Sequence, residues 1–185
     1  MKSNPCSECG KQVPASGGVH LVGYGFLCDR CYNLRITDGE YDHPSFEPID
    51  VEDSRGVSRS FNIQVLHRGD LVSFEAQEAR RDGSRGYRFV VLGDPAEDPM
   101  ETFSALYRRV RAELAEPYLT EDRPPRIRDF NVAGRVSTQE PHRLPTCVID
   151  GEEMTWEEVG RMVSSFEGWR FDLSFRSEDD DRRQE

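Results

Sequence analysis

The stretches CSECG at Cys6–Gly10 and CDRC at Cys28–Cys31 hold four of the five cysteines in this chain. In each stretch two residues separate a pair of cysteines, and eighteen residues lie between the two pairs. A two-residue gap lets both sulfur atoms of a pair face one ion, and four thiolates satisfy the tetrahedral coordination that structural zinc prefers. The spacing therefore predicts a structural Zn²⁺ ion bound by Cys6, Cys9, Cys28 and Cys31.

The predicted site is closed, because four thiolates complete a tetrahedron and leave no position for water. The metal is therefore expected to stabilise the fold and not to catalyse a reaction. Gly10 follows the first pair and can adopt the positive φ angle that turns backbone amides toward the sulfur atoms. Two disulfides or free thiols are the alternative interpretation, and a reducing compartment disfavours the disulfides.

The charge of the chain limits its partners. There are 24 basic and 35 acidic side chains, a formal net charge of −11, and a surface of that sign repels phosphate backbones. The only two lysines, Lys2 and Lys11, stand beside the first cysteine pair. The rest of the chain therefore lacks the lysine that a phosphate-binding loop, a Schiff-base enzyme or a carboxylate–lysine nuclease needs.

Composition divides the chain into four segments. Residues 1–38 are predicted to form the cysteine finger, and residues 39–57 an acidic linker, because they carry six acids and two prolines without a hydrophobic period. Residues 58–176 are nearly balanced in charge and are predicted to form one α+β domain. Residues 177–185, with five acids and two arginines, are predicted to be disordered.

The sequence also predicts a cytoplasmic location. No apolar run approaches the roughly 18–20 residues that span a bilayer. The first ten residues, MKSNPCSECG, lack the apolar core of a secretory signal. We therefore expect no contact with a membrane.

Periodicity and capping residues predict the first half of the domain. Phe61, Ile63 and Val65 share one face of a strand, and a hairpin joins residues 70–79 to residues 86–93 across an Asp-Gly turn. A helix is expected after Asp98, which suits the N-cap and precedes a proline. Apolar residues then recur at helical spacing.

The second half is predicted to contain two strands, a helix and a final strand. Thr155 and Glu158 form a capping box at the start of the helix, and the final segment, WRFDLSF at Trp169–Phe175, alternates apolar and polar residues throughout. The whole order is three strands, a helix, two strands, a helix and a strand. It predicts a mostly antiparallel sheet with two helices packed on one face, an α+β fold, and leaves the strand order open.

The first 38 residues resemble the treble-clef zinc fingers, a group that includes LIM and GATA-type modules. The resemblance rests on CSECGK as a tight turn, VHLVGYGFLC as a hairpin and CDRCYN at the start of a helix. It implies that the four cysteines are the ligands, and it leaves the partner open because treble clefs bind DNA, RNA, ubiquitin or other proteins. The remaining chain, through GYRFVVLGDP and VIDGEEMTWEEVGRM, resembles uncharacterised bacterial proteins that pair a zinc finger with this domain. That second resemblance implies no activity.

The sequence predicts that the protein is not an enzyme. Asp94 and Asp150 each follow a predicted strand, but Asp-Pro and Asp-Gly suit turns equally well. Cys147 lies in the apolar run TCVI, which favours a buried structural thiol over a nucleophile. The four histidines are scattered without the spacing of a metal site.

The favoured interpretation is a protein-interaction adaptor or regulator whose finger is held on an acidic tether and whose partner is another protein, a basic one being the best match in charge. The candidate recognition residues are Lys11, Tyr24, Phe26 and Arg30. The alternative is a nucleic-acid-binding protein that uses the finger together with an arginine patch, drawn from Arg80, Arg81, Arg85, Arg88, Arg108, Arg109 and Arg111. The net charge favours the first interpretation, and the oligomeric state is left open.

Overall fold

The computed structural model describes residues 3–14, 17–40, 44–82, 84–138 and 144–177. In those ranges the chain forms three α-helices and eleven β-strands. The helices are α1 (Asp29–Ile36), α2 (Pro99–Ala115) and α3 (Trp156–Val163). The strands are β1 (Ser3–Pro5), β2 (Gln12–Pro14), β3 (Gly18–Leu21), β4 (Gly25–Cys28), β5 (Ile49–Glu52), β6 (Ser58–Arg68), β7 (Leu71–Glu78), β8 (Arg88–Gly93), β9 (Arg135–Ser137), β10 (Thr146–Ile149) and β11 (Glu152–Thr155). All of the strand pairings are antiparallel, and the predicted α+β class is confirmed.

The N-terminal finger consists of two short hairpins followed by a helix. Strand β1 pairs with β2, β3 pairs with β4, and α1 begins directly after Cys28. Its small core contains Val13, Phe26 and Leu27 together with Cys6 and Cys28, so cysteines make up part of the core that holds the finger together.

The main sheet has the strand order β5-β6-β7-β8, and α2 packs on one face of it. Apolar side chains alternate along β6 and β7 and meet the apolar stripe of α2, which buries Leu106, Val110 and Leu114. Phe61 and Phe74 are fully buried in the same core. Burial of a large apolar side chain stabilises a fold by about 1.5–3 kcal/mol, so this cluster is the main source of stability of the sheet.

A second sheet, with the order β11-β10-β9, carries α3 and has its own small core. Cys147, Ile149 and Met162 are buried there, and the predicted capping box of Thr155 and Glu158 is formed. The two helices α2 and α3 therefore lie on separate sheets, whereas the sequence predicted both on one face of a single sheet. One physical reason is that Arg109 of α2 donates a hydrogen bond of 2.9 Å to the Val90 carbonyl on the outer strand β8, and so fills an edge position that a further strand would use.

The predicted acidic linker, residues 39–57, contains a strand of the main sheet. Strand β5 pairs with Ser58–Phe61 of β6, and Val51 is buried in the core. Phe46 stacks on Phe103 of α2, with ring centroids 4.5 Å apart. Ile49 and Val51 alternate with two acids, and the acidic composition hid this short strand period in the sequence. Residues 41–43 of the predicted linker lie outside the described residues.

The predicted final strand, Trp169–Phe175, is not formed, which corrects the sequence prediction. The segment has no helix or strand, and its four apolar side chains are exposed. Alternation makes a strand only where a sheet edge and a core accept it, and in the described part of the chain no edge pairs with this segment. The predicted disordered tail, apart from Ser177, lies outside the described residues.

Asp53 and Arg59 form the centre of a buried ion-pair network at the edge of the main sheet. Arg59 Nε lies 3.0 Å from Asp53 Oδ2, and Arg59 Nη1 lies 2.7 Å from Glu78 Oε1. Asp53 Oδ1 also accepts hydrogen bonds from the amides of Arg55 and Val57. Burial raises the pKa of Asp53, but the hydrogen bonds from Val57, Arg55 and Arg59 outweigh it, and the pKa lies below its usual range.

Replacing Asp53 with Asn should lower the free energy of unfolding by about 3 kcal/mol, because Arg59 would stay buried with part of its charge uncompensated. Chemical denaturation at neutral pH measures the difference. Asp70→Asn, an exposed carboxylate in the turn between β6 and β7, is the control and should change stability by no more than about 0.5 kcal/mol.

The effect should also depend on pH. The stability that ionised Asp53 contributes is complete above the pKa of an unfolded aspartate, about 3.9, and is lost as pH falls through the lower pKa of the folded protein. The difference between wild type and Asp53→Asn should therefore shrink below about pH 4. A difference that is the same at pH 7 and at pH 3 would contradict this account.

Candidate metal centre

Four cysteine sulfur atoms meet in the finger. The Sγ atoms of Cys6, Cys9, Cys28 and Cys31 all lie within 4.8 Å of one another, and none of them forms a disulfide. Cys9 Sγ and Cys28 Sγ are 3.8 Å apart. Four sulfur atoms placed about 2.3 Å from one ion at the corners of a tetrahedron stand about 3.8 Å apart, so this distance fits metal coordination. It is far longer than the roughly 2.05 Å of a disulfide.

The first cysteine pair lies in the tight turn between β1 and β2. Gly10 has a φ of 71°, and its amide donates to the Cys6 carbonyl at 2.9 Å, which closes the turn. The amide of Ser7 donates to the Phe26 carbonyl at 2.8 Å and ties this turn to β4. Glycine is required at residue 10 because other residues rarely adopt that backbone angle.

The second pair lies where a strand becomes a helix. Cys28 ends β4 and occupies the N-cap position of α1, and Cys31 follows in the first turn of that helix. Both sulfur atoms therefore point to the same place from a rigid start of a helix. The two hairpins and α1 together determine the position of all four sulfur atoms.

The backbone around Cys6 favours a thiolate. Burial alone raises the pKa of this thiol, but hydrogen bonds from the backbone of Cys28, Cys9 and Glu8 outweigh burial and lower the pKa to about 6. Burial raises the pKa of Cys28 and of Cys31. Thiolates are the form that binds metal, and a bound cation offsets the cost of placing several of them together.

The donor set limits what an ion can do here. Four sulfur ligands in tetrahedral geometry suit zinc or a single iron ion. Because all four positions belong to the protein, the centre has no open position for water or substrate. The cluster could therefore hold a metal ion in a structural role.

Asn33 of helix α1 makes two hydrogen bonds to the backbone of the main sheet. Asn33 Nδ2 donates to the Val65 carbonyl at 2.7 Å, and Asn33 Oδ1 accepts from the His67 amide at 2.8 Å. Strand β5 covers only the first residues of β6, so Val65 and His67 would otherwise stand at an edge of the sheet. The Asn33 amide takes the place of a neighbouring strand and protects that edge.

Two further contacts extend the docking. Tyr32 Oη donates to the His67 carbonyl at 3.3 Å, and Gln64 Nε2 donates to Asp29 Oδ1 at 2.7 Å. Burial is the largest cause that raises the pKa of Asp29, to about 6, with the nearby charge of Glu75 adding to it. The finger is therefore packed on the sheet. The sequence had suggested instead that the finger is held on an acidic tether. The docking role of Asn33 was not predicted from the sequence. The only indication of it in the sequence is that asparagine is unfavourable in the middle of a helix.

Three of the four predicted recognition residues are exposed, and one is not. Lys11, Tyr24 and Arg30 are exposed, but Phe26 is only 7% exposed and packs in the finger core against His20. The prediction for Phe26 is thus corrected. Phe26, Leu27 and Cys28 of β4 are all buried in this core, so the strand has no exposed face at Phe26.

The structure adds a cluster that the sequence did not reveal. The Arg35 guanidinium lies over the Tyr24 ring, 4.3 Å from its centroid, and pairs with Glu8 at 2.7 Å. Val22, two residues before Tyr24, is 96% exposed at the tip of the β3–β4 turn. The cysteine turn, the hairpin and the helix therefore meet at one surface of the finger, which we call the Tyr24 surface (Glu8, Val22, Tyr24 and Arg35).

Two members of the predicted arginine patch are paired with carboxylates. Arg80 pairs with Glu78 and Glu152, and Arg88 pairs with Glu75, which is itself buried. Of the helix arginines, Arg109 is bound to a backbone carbonyl. The remaining arginines of the set are Arg81, Arg108 and Arg111, which are exposed, and Arg85, which is half-buried and bonded to the Thr138 carbonyl.

The residues considered for catalysis have structural contacts. Asp94 accepts a hydrogen bond from the Ala96 amide in a turn, and Asp150 accepts from the amides of Tyr118 and Leu119. Cys147 is buried in β10, and burial raises the pKa of its thiol. These contacts suit the turn and core roles expected from the sequence.

Together the fold and the cluster define an α+β protein with a cysteine site that could hold a metal ion. Residues 42–115 match the family model of a domain of unknown function (DUF7686), and residues 118–180 match that of a second one (DUF7713). The two matches meet between the two sheets, inside residues 58–176, which the sequence analysis assigned to one domain. No curated protein and no solved structure shows a significant match. None of the helices in the described ranges is long and apolar enough to cross a bilayer.

Replacing Asn33 with Ala should release α1 from the edge of β6. Two buried hydrogen-bonding groups of the strand would lose their partner, and the free energy of unfolding should fall by about 1–3 kcal/mol. Hydrogen exchange gives the local measurement, and the His67 amide should exchange about tenfold faster or more. Arg30→Ala, an exposed change on the same helix, should leave this exchange unchanged. Equal exchange at His67 in wild type and Asn33→Ala would show that Asn33 does not protect the edge.

Proposed function

We propose that this protein is a non-catalytic zinc-binding adaptor that recognises another protein through the exposed face of its finger. The observation that carries the proposal is the closed set of four cysteines, two of whose sulfur atoms stand at the spacing of a tetrahedron edge. Such a centre stabilises a small surface and leaves no site for a substrate. One side of the finger is used for docking on β6, and the Tyr24 surface remains exposed.

Zinc is the favoured metal, and a treble-clef finger is the favoured class. A tight turn with two cysteines, a hairpin, and a helix that carries the second pair occur in the order that treble clefs use. Zinc suits a permanent structural site because it has no redox chemistry. Free thiols at such a site also favour a reducing compartment, which supports the cytoplasm as the location. The resemblance to bacterial proteins stays a prediction.

The metal proposal predicts about one zinc ion per chain in purified protein, measured by elemental analysis. Cys9→Ala should lose the ion during dialysis against a weak chelator, because three thiolates hold zinc less tightly than four. Cys147→Ala, which removes a cysteine outside the cluster, should keep it. If the purified protein contained iron and showed a visible absorption band, the choice of zinc would be overturned. If Cys9→Ala kept the ion, the proposed set of ligands would be overturned.

The Tyr24 surface has the features of an interaction site. Tyr24 is half exposed and is held in place by Arg35, and Val22 beside it is almost fully exposed. Tyrosine and arginine are enriched among the residues that dominate binding energies, and a preformed arrangement reduces the entropy lost on binding. An apolar side chain of a partner could pack against Val22 and the Tyr24 ring.

The acidic residues favour a partner with a basic rim. Glu47, Asp50 and Glu52 are exposed around β5, whereas Asp53 is buried and paired and is not available to a partner. Charges at the rim of an interface mainly speed association and exclude partners of the wrong sign. The expected partner therefore carries basic side chains in addition to an apolar anchor.

Nucleic-acid binding is disfavoured by the same charges. The ion pairs of Arg80 and Arg88 remove two cations from the predicted patch, and the net charge is −11. Binding to phosphates requires unpaired cations and weakens strongly with salt. Heparin and mixed DNA and RNA, tested at about 50 and 200 mM salt, separate the two functions, because salt-sensitive retention of the protein would contradict the adaptor proposal.

The partner proposal predicts a specific loss of binding in one variant. In affinity purification from the native host, Tyr24→Ala should capture any direct partner at least about tenfold less well than wild type does. Met100→Ala, an equally exposed apolar change on α2, is the matched control and should capture the partner normally. A partner captured equally by all three proteins would not use the Tyr24 surface, and the proposal for this surface would then fail.

A further inference from the structure

The segment Trp169–Phe175 presents an apolar surface that the fold does not bury. Trp169, Phe171, Leu173 and Phe175 are 62%, 76%, 64% and 72% exposed. They alternate with Arg170, Asp172 and Ser174, so in an extended conformation all four share one face. A run of large apolar side chains on the surface marks an interaction site.

The start of the segment is held by aromatic contacts. The Trp169 ring stacks on Phe130, with centroids 5.3 Å apart and planes 24° apart, and meets Phe166 edge-on at 5.8 Å. The Trp169 amide donates to the Phe166 carbonyl at 2.9 Å. Phe130 is itself 75% exposed, so it extends the apolar surface of the segment. The segment thus leaves the body of the protein from a defined point with its apolar side chains uncovered.

We propose that this segment pairs with the same segment of a second copy of the chain, as two antiparallel strands related by a two-fold axis at Phe171. In this register Phe171 of one copy lies opposite Phe171 of the other. Trp169 of each copy lies opposite Leu173 of the other copy. Arg170 of each copy likewise lies opposite Asp172 of the other. On one face Trp169, Phe171 and Leu173 then meet only apolar partners, while Phe175 lies opposite Glu167 of the other copy, and the other face carries two ion pairs.

The sequence of the segment selects this register over its neighbour. A two-fold axis at Asp172 would place the two Asp172 carboxylates directly opposite each other, and opposed like charges destabilise a strand pair. An axis at Phe171 replaces that repulsion with two attractive pairs. A two-residue spacing between Arg170 and Asp172 is what an isologous antiparallel pair requires, because each charge meets the opposite charge of the other copy.

The surrounding residues also favour a second copy. A two-stranded ribbon alone is marginally stable in water, so its apolar face has to be covered. Phe130 and Phe166 of both copies stand beside Trp169 and supply four further rings to that face. The dimer does not involve the finger, so it is independent of the function proposed for the Tyr24 surface.

Sedimentation of the full-length, metal-loaded protein from about 1 to 200 μM tests the association and should show a concentration-dependent dimer. Arg170→Asp and Asp172→Arg should each weaken the dimer by about tenfold or more, because two attractive pairs become two repulsive ones. The double variant that combines both changes should recover the wild-type affinity. Circular dichroism checks that all variants are folded.

Disulfide trapping tests the register. Under mild oxidation Phe171→Cys should form a covalent dimer, because opposed residues at the axis have Cα atoms about 4.5–5.5 Å apart. Asp172→Cys should not, because its two copies stand diagonally, at about 7–8 Å. A protein that stays monomeric at all concentrations overturns the proposal and leaves the segment to a different partner. A dimer that is insensitive to both single charge changes overturns it as well.

Discussion

The convergence of four sulfur atoms in the finger is the constraint on which the rest of the molecule depends. Cys6 and Cys28 are members of the finger core, so a module with few other apolar side chains relies on the arrangement of its cysteines. Cys31 is followed directly by Tyr32 and Asn33, which both bond to the backbone of β6. The position of the sulfur atoms therefore determines the position of the docking residues, and the edge of the main sheet is covered only when the finger is formed.

Short sequence motifs correctly predicted the cysteine cluster and the starts of two helices. Cysteine spacing predicted the cluster, and capping residues predicted the starts of α2 and α3, because such signals act over a few residues. Strand β5 was missed because Asp50 and Glu52 conceal the alternation of Ile49 and Val51, and its burial depends on Phe61 and other distant residues.

The remaining wrong predictions concern tertiary contacts, namely the burial of a side chain and the pairing of a strand, which local sequence patterns do not determine. Phe26 and Tyr24 are both aromatic residues of one hairpin, but Phe26 lies in strand β4 and packs in the core, whereas Tyr24 lies in the turn before that strand and is half exposed. The alternation in Trp169–Phe175 predicted a strand that is not formed, because a strand requires a partner edge and the described chain does not provide one. A pattern of period two therefore indicates which residues can share a face and not whether that face is covered.

Several charged side chains of the molecule form ion pairs with one another. Glu75 pairs with both Arg68 and Arg88, and Arg59 joins Asp53 to Glu78. Two members of the predicted basic patch, Arg80 and Arg88, are paired in this way with the buried carboxylates of Glu78 and Glu75. Buried pairs of this kind contribute little to net stability, but they are costly to break. They remove positive and negative charges in equal number, so the net negative charge of the chain is unchanged by them.

The finger that covers the edge of β6 lies outside the matched domain of unknown function. The match to the first domain of unknown function begins at residue 42, after the helix that carries Asn33. The domain by itself therefore has an uncovered stretch of β6 around Val65 and His67, with backbone groups that a strand of another molecule could pair with. Loss of the finger from this chain would expose the same groups. The cysteine cluster thus supports the sheet from outside the matched domain, because it positions the helix whose Asn33 amide bonds to this edge.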